Sequence, residues 1–237
     1  MNIKFVVARY ENDNFEGFLS ETIKDYEHEF IWNDEGSSIF EKYNIGVNRL
    51  VQKGLNGDDV VCFCHADVKF IDPDWEEKVK YAFQNIQGLG VAGVIGATEL
   101  HETGGWWLSD QSLHRGHVMQ WVDDKEENKY HMIRKEGNFT DCCVVDGLCM
   151  FVIGHIAQNL RWDYQTFPES YDMYDLDYCL SVMGHGYKVA VLDILLEHKS
   201  AGVGVMKDSW KINKEKFINK WKGAGVNFPI KVITKNG

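Results

Sequence analysis

An α/β fold, with a mostly parallel central sheet flanked by helices, is predicted by three features of this 237-residue chain. Short, almost wholly apolar runs recur along it. Amphipathic helical stretches alternate with those runs through residues 1–100. Polar side chains with chemical potential follow directly on the runs. Runs of this kind suit strands covered on both faces, and strand–helix alternation packs into a layered α/β unit.

Taken in order, Ile3 to Ala8 reads as the first strand and Phe30 to Trp32 as a second. Ser38 and Glu41 have the spacing of a capping box. The helix behind them carries Phe40, Tyr43, Val47, Leu50 and Val51 on one face and ends at Gly54 and Gly57. Asp59 to Cys64 is the next strand. Asp72 and Pro73 then have the N-cap and first-turn chemistry of a helix start, with Trp75, Val79, Phe83 and Ile86 as its buried stripe. Leu89 to Ile95 is strand-like. Residues 98–142 are polar, aromatic and glycine-containing, centred on Gly104-Gly105-Trp106-Trp107, and predict loops with a hairpin. Val144 to Ile153 is strand, Asp172 to Met183 helix ending at Gly184-His185-Gly186, Tyr187 to Leu195 strand, and Asp208 to Lys222 helix. Without linker or repeat, one continuous domain over 1–237 is expected.

The net charge of −11 makes the surface repel a nucleic-acid backbone, so binding to DNA or RNA is disfavoured. The lysines between Lys207 and Lys222 read as a solvated helix face. No apolar run approaches the roughly 18 residues of a membrane span, and the N-terminus lacks the features of a signal peptide. Cys62, Cys64, Cys142, Cys143, Cys149 and Cys179 have neither disulfide-framework nor zinc spacing. Free thiols and a cytoplasmic location are expected.

In parallel sheets, ligands sit beyond the carboxyl ends of the strands, and three motifs occupy such positions. The apolar run Val60 to Cys64 leads into His65-Ala66-Asp67-Val68. Asp67 there either caps a turn or holds a divalent cation, whose preference for hard oxygen ligands leaves room for phosphate. In Tyr174-Asp175-Leu176-Asp177, the carboxylates either favour the helix N-terminus electrostatically or supply a general base. Two residues apart, they point to roughly opposite sides of a helix. Finally, His198, within Glu197-His198-Lys199-Ser200-Ala201-Gly202, is either a satisfied core residue or a further metal ligand. Trp106 and Trp107 offer faces for sugar stacking or simple packing, and His114, Arg115 and His117 are candidates for a diphosphate.

In this order, the motifs resemble the family 2 glycosyltransferases, most closely the small streptomycin-biosynthesis-type branch. The likeness lies in His65-Ala66-Asp67-Val68, in Tyr174-Asp175-Leu176-Asp177-Tyr178-Cys179-Leu180 followed by Gly186-Tyr187-Lys188-Val189, and in His198 to Gly202. Val145-Asp146-Gly147-Leu148 and Tyr43-Asn44-Ile45-Gly46 add to it, and the whole spans residues 3–204. The resemblance implies a GT-A fold with a nucleotide-binding half (1–97), an acceptor-binding and catalytic half (98–205) and a helical tail (206–237). It implies an inverting transferase that moves a hexose or pentose from a nucleotide-diphosphate sugar, with a UDP-sugar favoured, to a glycan or small-molecule hydroxyl, with Mn2+ or Mg2+ as cofactor. Ala8, Arg9, Tyr10, Asp34 (with Asn33 as alternative), Asn44, His65 and Ala66 would lie along the donor. Asp67 and His198 would hold the metal. Asp175 would be the base, with Asp177 as second choice, and Trp106, Trp107 and Asp146 would face the acceptor. The alternatives are a silent nucleotide-sugar-binding module and a transferase acting on modified DNA bases. Tyr174 stands where the family has the glutamate of its Glu-Asp pair, Ser181 where it often has arginine, and His65 where it has the first aspartate of Asp-x-Asp.

Overall fold

The computed structural model describes residues 1–11, 13, 15–116, 118–122, 125–130, 138–199 and 208–232, with only the backbone of 122 and 125–130. His117 and the stretch from Ser200 through Gly204 lie outside the described residues. In chain order the elements are β1 (Ile3–Ala8), α1 (Leu19–Ile23), β2 (His28–Ile31), α2 (Ile39–Gln52), β3 (Val60–Cys64), β4 (Val68–Phe70), α3 (Trp75–Asn85) and β5 (Leu89–Gly93). Then come β6 (Ile95–Ala97), β7 (Glu99–Leu100), β8 (His114–Gly116), β9 (Val118–Val122), β10 (Lys125–Tyr130), β11 (Phe139–Cys142), β12 (Val144–Val145) and β13 (Cys149–Ile153). The chain continues with α4 (Gly154–Asn159), α5 (Tyr174–Gly184), β14 (Lys188–Leu192), β15 (Leu196–His198), α6 (Asp208–Gly223) and β16 (Ile230–Lys231).

The central sheet has seven strands in the order β11-β14-β5-β13-β3-β1-β2. β1 pairs in parallel with β2 and β3, and β14 with β5, whereas β13 runs antiparallel between β3 and β5, and β11 antiparallel on the edge. Five strands therefore share one direction, which makes the sheet mostly parallel. β1, β3, β5 and β13 are buried at every position, as their unbroken apolar runs require. Helix α2 crosses β1 closely enough that a Cβ on Gly46 would meet Val6 Cγ1 at 2.2 Å.

Several element boundaries differ from expectation, among them Leu89 to Ile95, which divides into β5 and the start of β6. Helix α3 begins at Trp75 because Asp72 turns inward, its Oδ1 accepting the Asp74 N–H at 3.0 Å and its Oδ2 pairing with Lys78. Helix α5 begins at Tyr174, since Met173 adopts a left-handed conformation (φ 65°) that breaks the chain's path. The run 144–153 is divided by a turn at 146–148 into β12 and β13, and 187–195 is shortened to β14. The stretch 98–142 does hold a hairpin, β9–β10.

A second sheet, β10-β9-β15-β4, stands beyond the carboxyl end of β3. β4 follows β3 within a few residues and pairs antiparallel with β15, placing His198 opposite Val68. This pairing joins two motifs separated by about 130 residues. Among the described residues, no helix is long and apolar enough to cross a membrane.

Candidate active site

The chain leaves β3 at Cys64 and turns, so His65 and Asp67 project at the sheet's carboxyl edge while Ala66 between them and Val68 after them are buried. The Lys199 N–H donates to the Asp67 carbonyl at 2.9 Å, extending the β4–β15 ladder to the motif itself. His65, Asp67 and His198 each offer a ligand atom, all within 4.8 Å of one another. His198 Nε2 lies 3.4 Å and His65 Nδ1 4.0 Å from Asp67 Oδ1.

Hydrogen bonding behind the cluster selects which nitrogens face it. Gln120 Nε2 donates to the Trp121 carbonyl at 3.1 Å, which turns Gln120 Oε1 toward His198. His198 Nδ1–H donates to that oxygen at 2.9 Å. The lone pair of His198 is thereby left on Nε2, which is buried and has no hydrogen-bond partner. A divalent cation placed between the His198 lone pair and the Asp67 oxygen 3.4 Å away would satisfy both, so the donor set fits such an ion. Burial and His198 lower His65 against the pull of Asp67, leaving a neutral imidazole suited to a ligand.

A cleft of about 590 Å³ opens beside the cluster, and Ala8, Tyr10, His65, Ala66, Asp67, Tyr171 and Tyr174 are among the residues that line it. Asp34 is exposed in an adjoining recess shared with Glu11, Trp32, Asn33 and Glu35. Two residues expected along the donor are engaged elsewhere. Arg9 Nε donates to Asp13 at 2.6 Å and its guanidinium lies 3.9 Å from the Phe15 ring centre, so it fixes the turn after β1 instead of entering the cleft. Asn44 donates to the Trp162 carbonyl at 2.8 Å and accepts the Trp162 N–H at 3.1 Å, so it braces a loop against α2. The wall is set from behind by Lys42, fully buried, whose Nζ donates to Asn33 Oδ1 and to Tyr171 Oη, each at 2.9 Å.

Asp146, Gly147 and Leu148 form the turn between β12 and β13. Asp146 Oδ2 accepts Trp106 Nε1–H at 2.9 Å, and Oδ1 accepts the Leu148 N–H at 2.9 Å. Asp175 Oδ2 accepts the Gly147 N–H at 3.0 Å, while its Oδ1 accepts the Leu176 N–H at 2.9 Å. Burial, with the Asp146 charge adding to it, pushes Asp175 up to about 7. That is the range in which a carboxylate serves as a general base near neutral pH. Asp177 points the other way. It accepts Lys220 Nζ at 2.7 and 2.8 Å and Trp221 Nε1–H at 3.0 Å, and so holds α6 in place. Trp106 is buried against Trp107 and His114, and Trp107 extends toward Trp210 of α6 with ring centres 6.5 Å apart. Arg115 donates to the Ser112 and His114 carbonyls, at 2.8 and 2.6 Å, instead of facing the cleft.

Three participants were not singled out for these roles in the sequence: Tyr174, Gln120 and Lys42. Tyr174 Oη sits 2.7 Å from His65 Nε2. The only sequence signal was the departure of Tyr174 from the family's glutamate.

The family model described as "Glycosyltransferase like family" matches residues 19–224. The chain belongs to that glycosyltransferase-like family. No curated protein matches the sequence significantly. Among solved structures, this glycosyltransferase-like chain is similar in fold to A197 from STIV, with TM-score 0.50, 13% identity, and coverage of 87% of this chain and 98% of that one. It is also similar to GalNAc-T7 with UDP, GalNAc and Mn2+, with TM-score 0.55, 9% identity, and coverage of 92% of this chain but 47% of that one. A third is the mannosyltransferase PcManGT from Pyrobaculum calidifontis in complex with GDP-Man and Mn2+, with TM-score 0.52, 10% identity, and coverage of 97% and 66%. The chain spans about half the length of the GalNAc-T7 chain. At these identities the likeness establishes the fold, which is GT-A.

Proposed function

We propose that this chain is a cation-dependent, inverting glycosyltransferase that takes its donor, a nucleotide-diphosphate sugar, in the cleft beside His65, Asp67 and His198. The observation that carries the reading is the buried, partnerless Nε2 of His198 aimed at Asp67 across a three-ligand cluster on that cleft. Bound there, Mn2+ or Mg2+ would neutralise charge on the diphosphate leaving group.

The chain's own residues supply the rest. Ala8 and Tyr10 wall the donor side, and the recess around Asp34 receives the nucleoside. Asp175 takes the proton of the acceptor hydroxyl as that oxygen bonds to the anomeric carbon and the nucleoside diphosphate departs. Asp146, kept in place by Trp106, lies on the acceptor side with Trp107. A UDP-sugar is the first donor to test and a GDP-sugar the second, since the neighbours carry both nucleotides. All six cysteines are buried and free, which supports a reducing, cytoplasmic setting.

The test is nucleotide release from a panel of UDP- and GDP-sugars with Mn2+ or Mg2+. Cation-dependent release from one donor, abolished by Asp67→Ala, is the expected result. Binding without release, even with acceptors supplied, would convert the reading to a silent nucleotide-sugar module. Absence of both binding and release would overturn it.

A further inference from the structure

The hydrogens available at His65 define a role for Tyr174. A neutral imidazole has one N–H. The His65 ring presents Nδ1 to Asp67 and Nε2 to Tyr174 Oη, at 4.0 and 2.7 Å. For Nδ1 to act as a ligand its lone pair must face the cluster, so the hydrogen resides on Nε2 and is donated to the Tyr174 oxygen. That oxygen is then an acceptor, and its own hydrogen must go elsewhere. Among the described residues, Tyr174 Oη has no second hydrogen-bond partner, and Tyr174 lines the cleft next to His65 and Asp67. The hydroxyl is also held firmly. A Cβ on Gly147 would meet Tyr174 Oη at 2.1 Å, so the glycine leaves a fitted notch for it. A glutamate at this position would be an acceptor, whereas the tyrosine, with His65 already donating to it, is committed to donate.

We propose that Tyr174 donates a hydrogen bond to a β-phosphate oxygen of the nucleoside diphosphate, making it a catalytic residue that stabilises the leaving group. This rests on the reading of the cleft as a cation-dependent donor site. As the anomeric C–O bond breaks, its electron pair remains on the β-phosphate oxygen. The acceptor oxygen forms the new bond, and its proton goes to Asp175. Tyr174 keeps its proton throughout and contributes a preorganised donor where charge accumulates.

The experiment is calorimetric titration of UDP, GDP, UMP and GMP into wild type and Tyr174→Phe, with Mn2+ at saturation. The Mn2+ affinity of each protein is measured separately, because the substitution also removes the partner of His65. The expected result is a loss of about tenfold or more in affinity for the diphosphate that binds, with its monophosphate unchanged. In turnover, kcat falls about 100-fold or more. Equal diphosphate affinity in the two proteins, or an equal loss for mono- and diphosphate, would overturn the role of Tyr174 while leaving the donor site intact. If wild type binds none of the four nucleotides with Mn2+, the donor-site reading falls, and this inference with it.

Discussion

Lys220 Nζ lies 2.7 and 2.8 Å from the two carboxylate oxygens of Asp177, tying the tail helix α6 to the first turn of α5. Asp163 joins the same ammonium at 2.8 Å. Two aspartates separated by a single residue thus have opposite duties. Asp175 faces the turn of Asp146 and Gly147, and Asp177 fastens the other side of the helix.

That division predicts different outcomes for two similar substitutions. Asp177→Asn removes a buried charge from a pair whose lysine keeps Asp163 and is a quarter exposed. Burial raises the Asp177 carboxyl in spite of Lys220, so the stability loss should fall below the roughly 3–5 kcal/mol of a wholly buried pair. Folded Asp177→Asn protein should retain donor hydrolysis. Asp175→Asn should keep or gain stability, because a carboxyl raised by burial and by Asp146 is removed, yet lose transfer by at least 100-fold. Thermal melts paired with transfer assays check both. A stable but inactive Asp177→Asn would reverse the assignment of the base.

The raised Asp175 carboxyl gives a pH dependence with a definite sign. Its value of about 7 in the folded chain lies above the ordinary aspartate value of 3.8. The folded state therefore binds this proton more tightly than the unfolded state. The associated stability is fully present below the unfolded value and is lost as pH rises from roughly 4 to about 7. With Asp175 as the proposed base, transfer runs the opposite way, because that carboxylate must be ionised. kcat should fall about tenfold per pH unit below that midpoint. Burial is the larger cause and Asp146 the next, so Asp146→Asn should move the midpoint downward without restoring an ordinary aspartate value. A pH–rate profile of both proteins, with pH-dependent melts, measures this.

Much of the fold could be read from local pattern. The run Ile3 to Ala8 became β1 at both ends because an unbroken apolar run has one way to be covered on two faces. Ser38 caps α2 as expected, its Oγ accepting the Glu41 N–H at 3.2 Å, while Glu41 reaches back one residue further, to Ser37. The start of α5 was misread because a left-handed Met173 has no sequence signature; glycine or asparagine would have supplied one. In the site, residues that follow a strand were legible, since the sheet dictates where strand ends point. Gln120 and the pairing of Tyr174 with His65 were not. Each depends on segments far apart in sequence meeting to within a hydrogen bond. Asn44 and Arg9 lie close in sequence to donor-wall positions, yet Asn44 braces the Trp162 backbone and Arg9 pairs with the Asp13 carboxylate.

Gln120 tests whether the back of the cluster matters. Its Oε1 accepts the His198 Nδ1–H and so fixes the tautomer of His198. Gln120→Ala should lower Mn2+ affinity about 10- to 100-fold, as loss of a partner behind a metal-bound histidine generally does. The overall melting temperature should change little. His198→Ala and Asp67→Ala should abolish the affinity. Calorimetric cation titrations rank the three, and an unchanged Gln120→Ala would mean that His198 is oriented by packing alone.

Gly147→Ala probes the junction between the His65–Asp67–His198 cluster and Asp175. The added methyl carbon would stand 2.1 Å from Tyr174 Oη, 2.3 Å from Cζ and 2.4 Å from Cε2, so the ring must move. Gly147 N–H also supplies one of the hydrogen bonds to Asp175, and the Leu148 carbonyl next in the chain accepts the His65 N–H at 3.0 Å. Relief of the clash therefore cannot be local. Pushing Tyr174 aside releases His65 Nε2, and shifting the turn loosens Asp175. Overpacking of this kind costs about 1–3 kcal/mol. Function should suffer more than stability, with Mn2+ affinity and transfer both falling at least tenfold in protein that still melts cooperatively. Combining Gly147→Ala with Tyr174→Phe separates the two effects. The ring still collides with the methyl through Cζ and Cε2, so the stability loss should remain. The hydroxyl is already gone, so the second substitution should add little to the loss of diphosphate affinity.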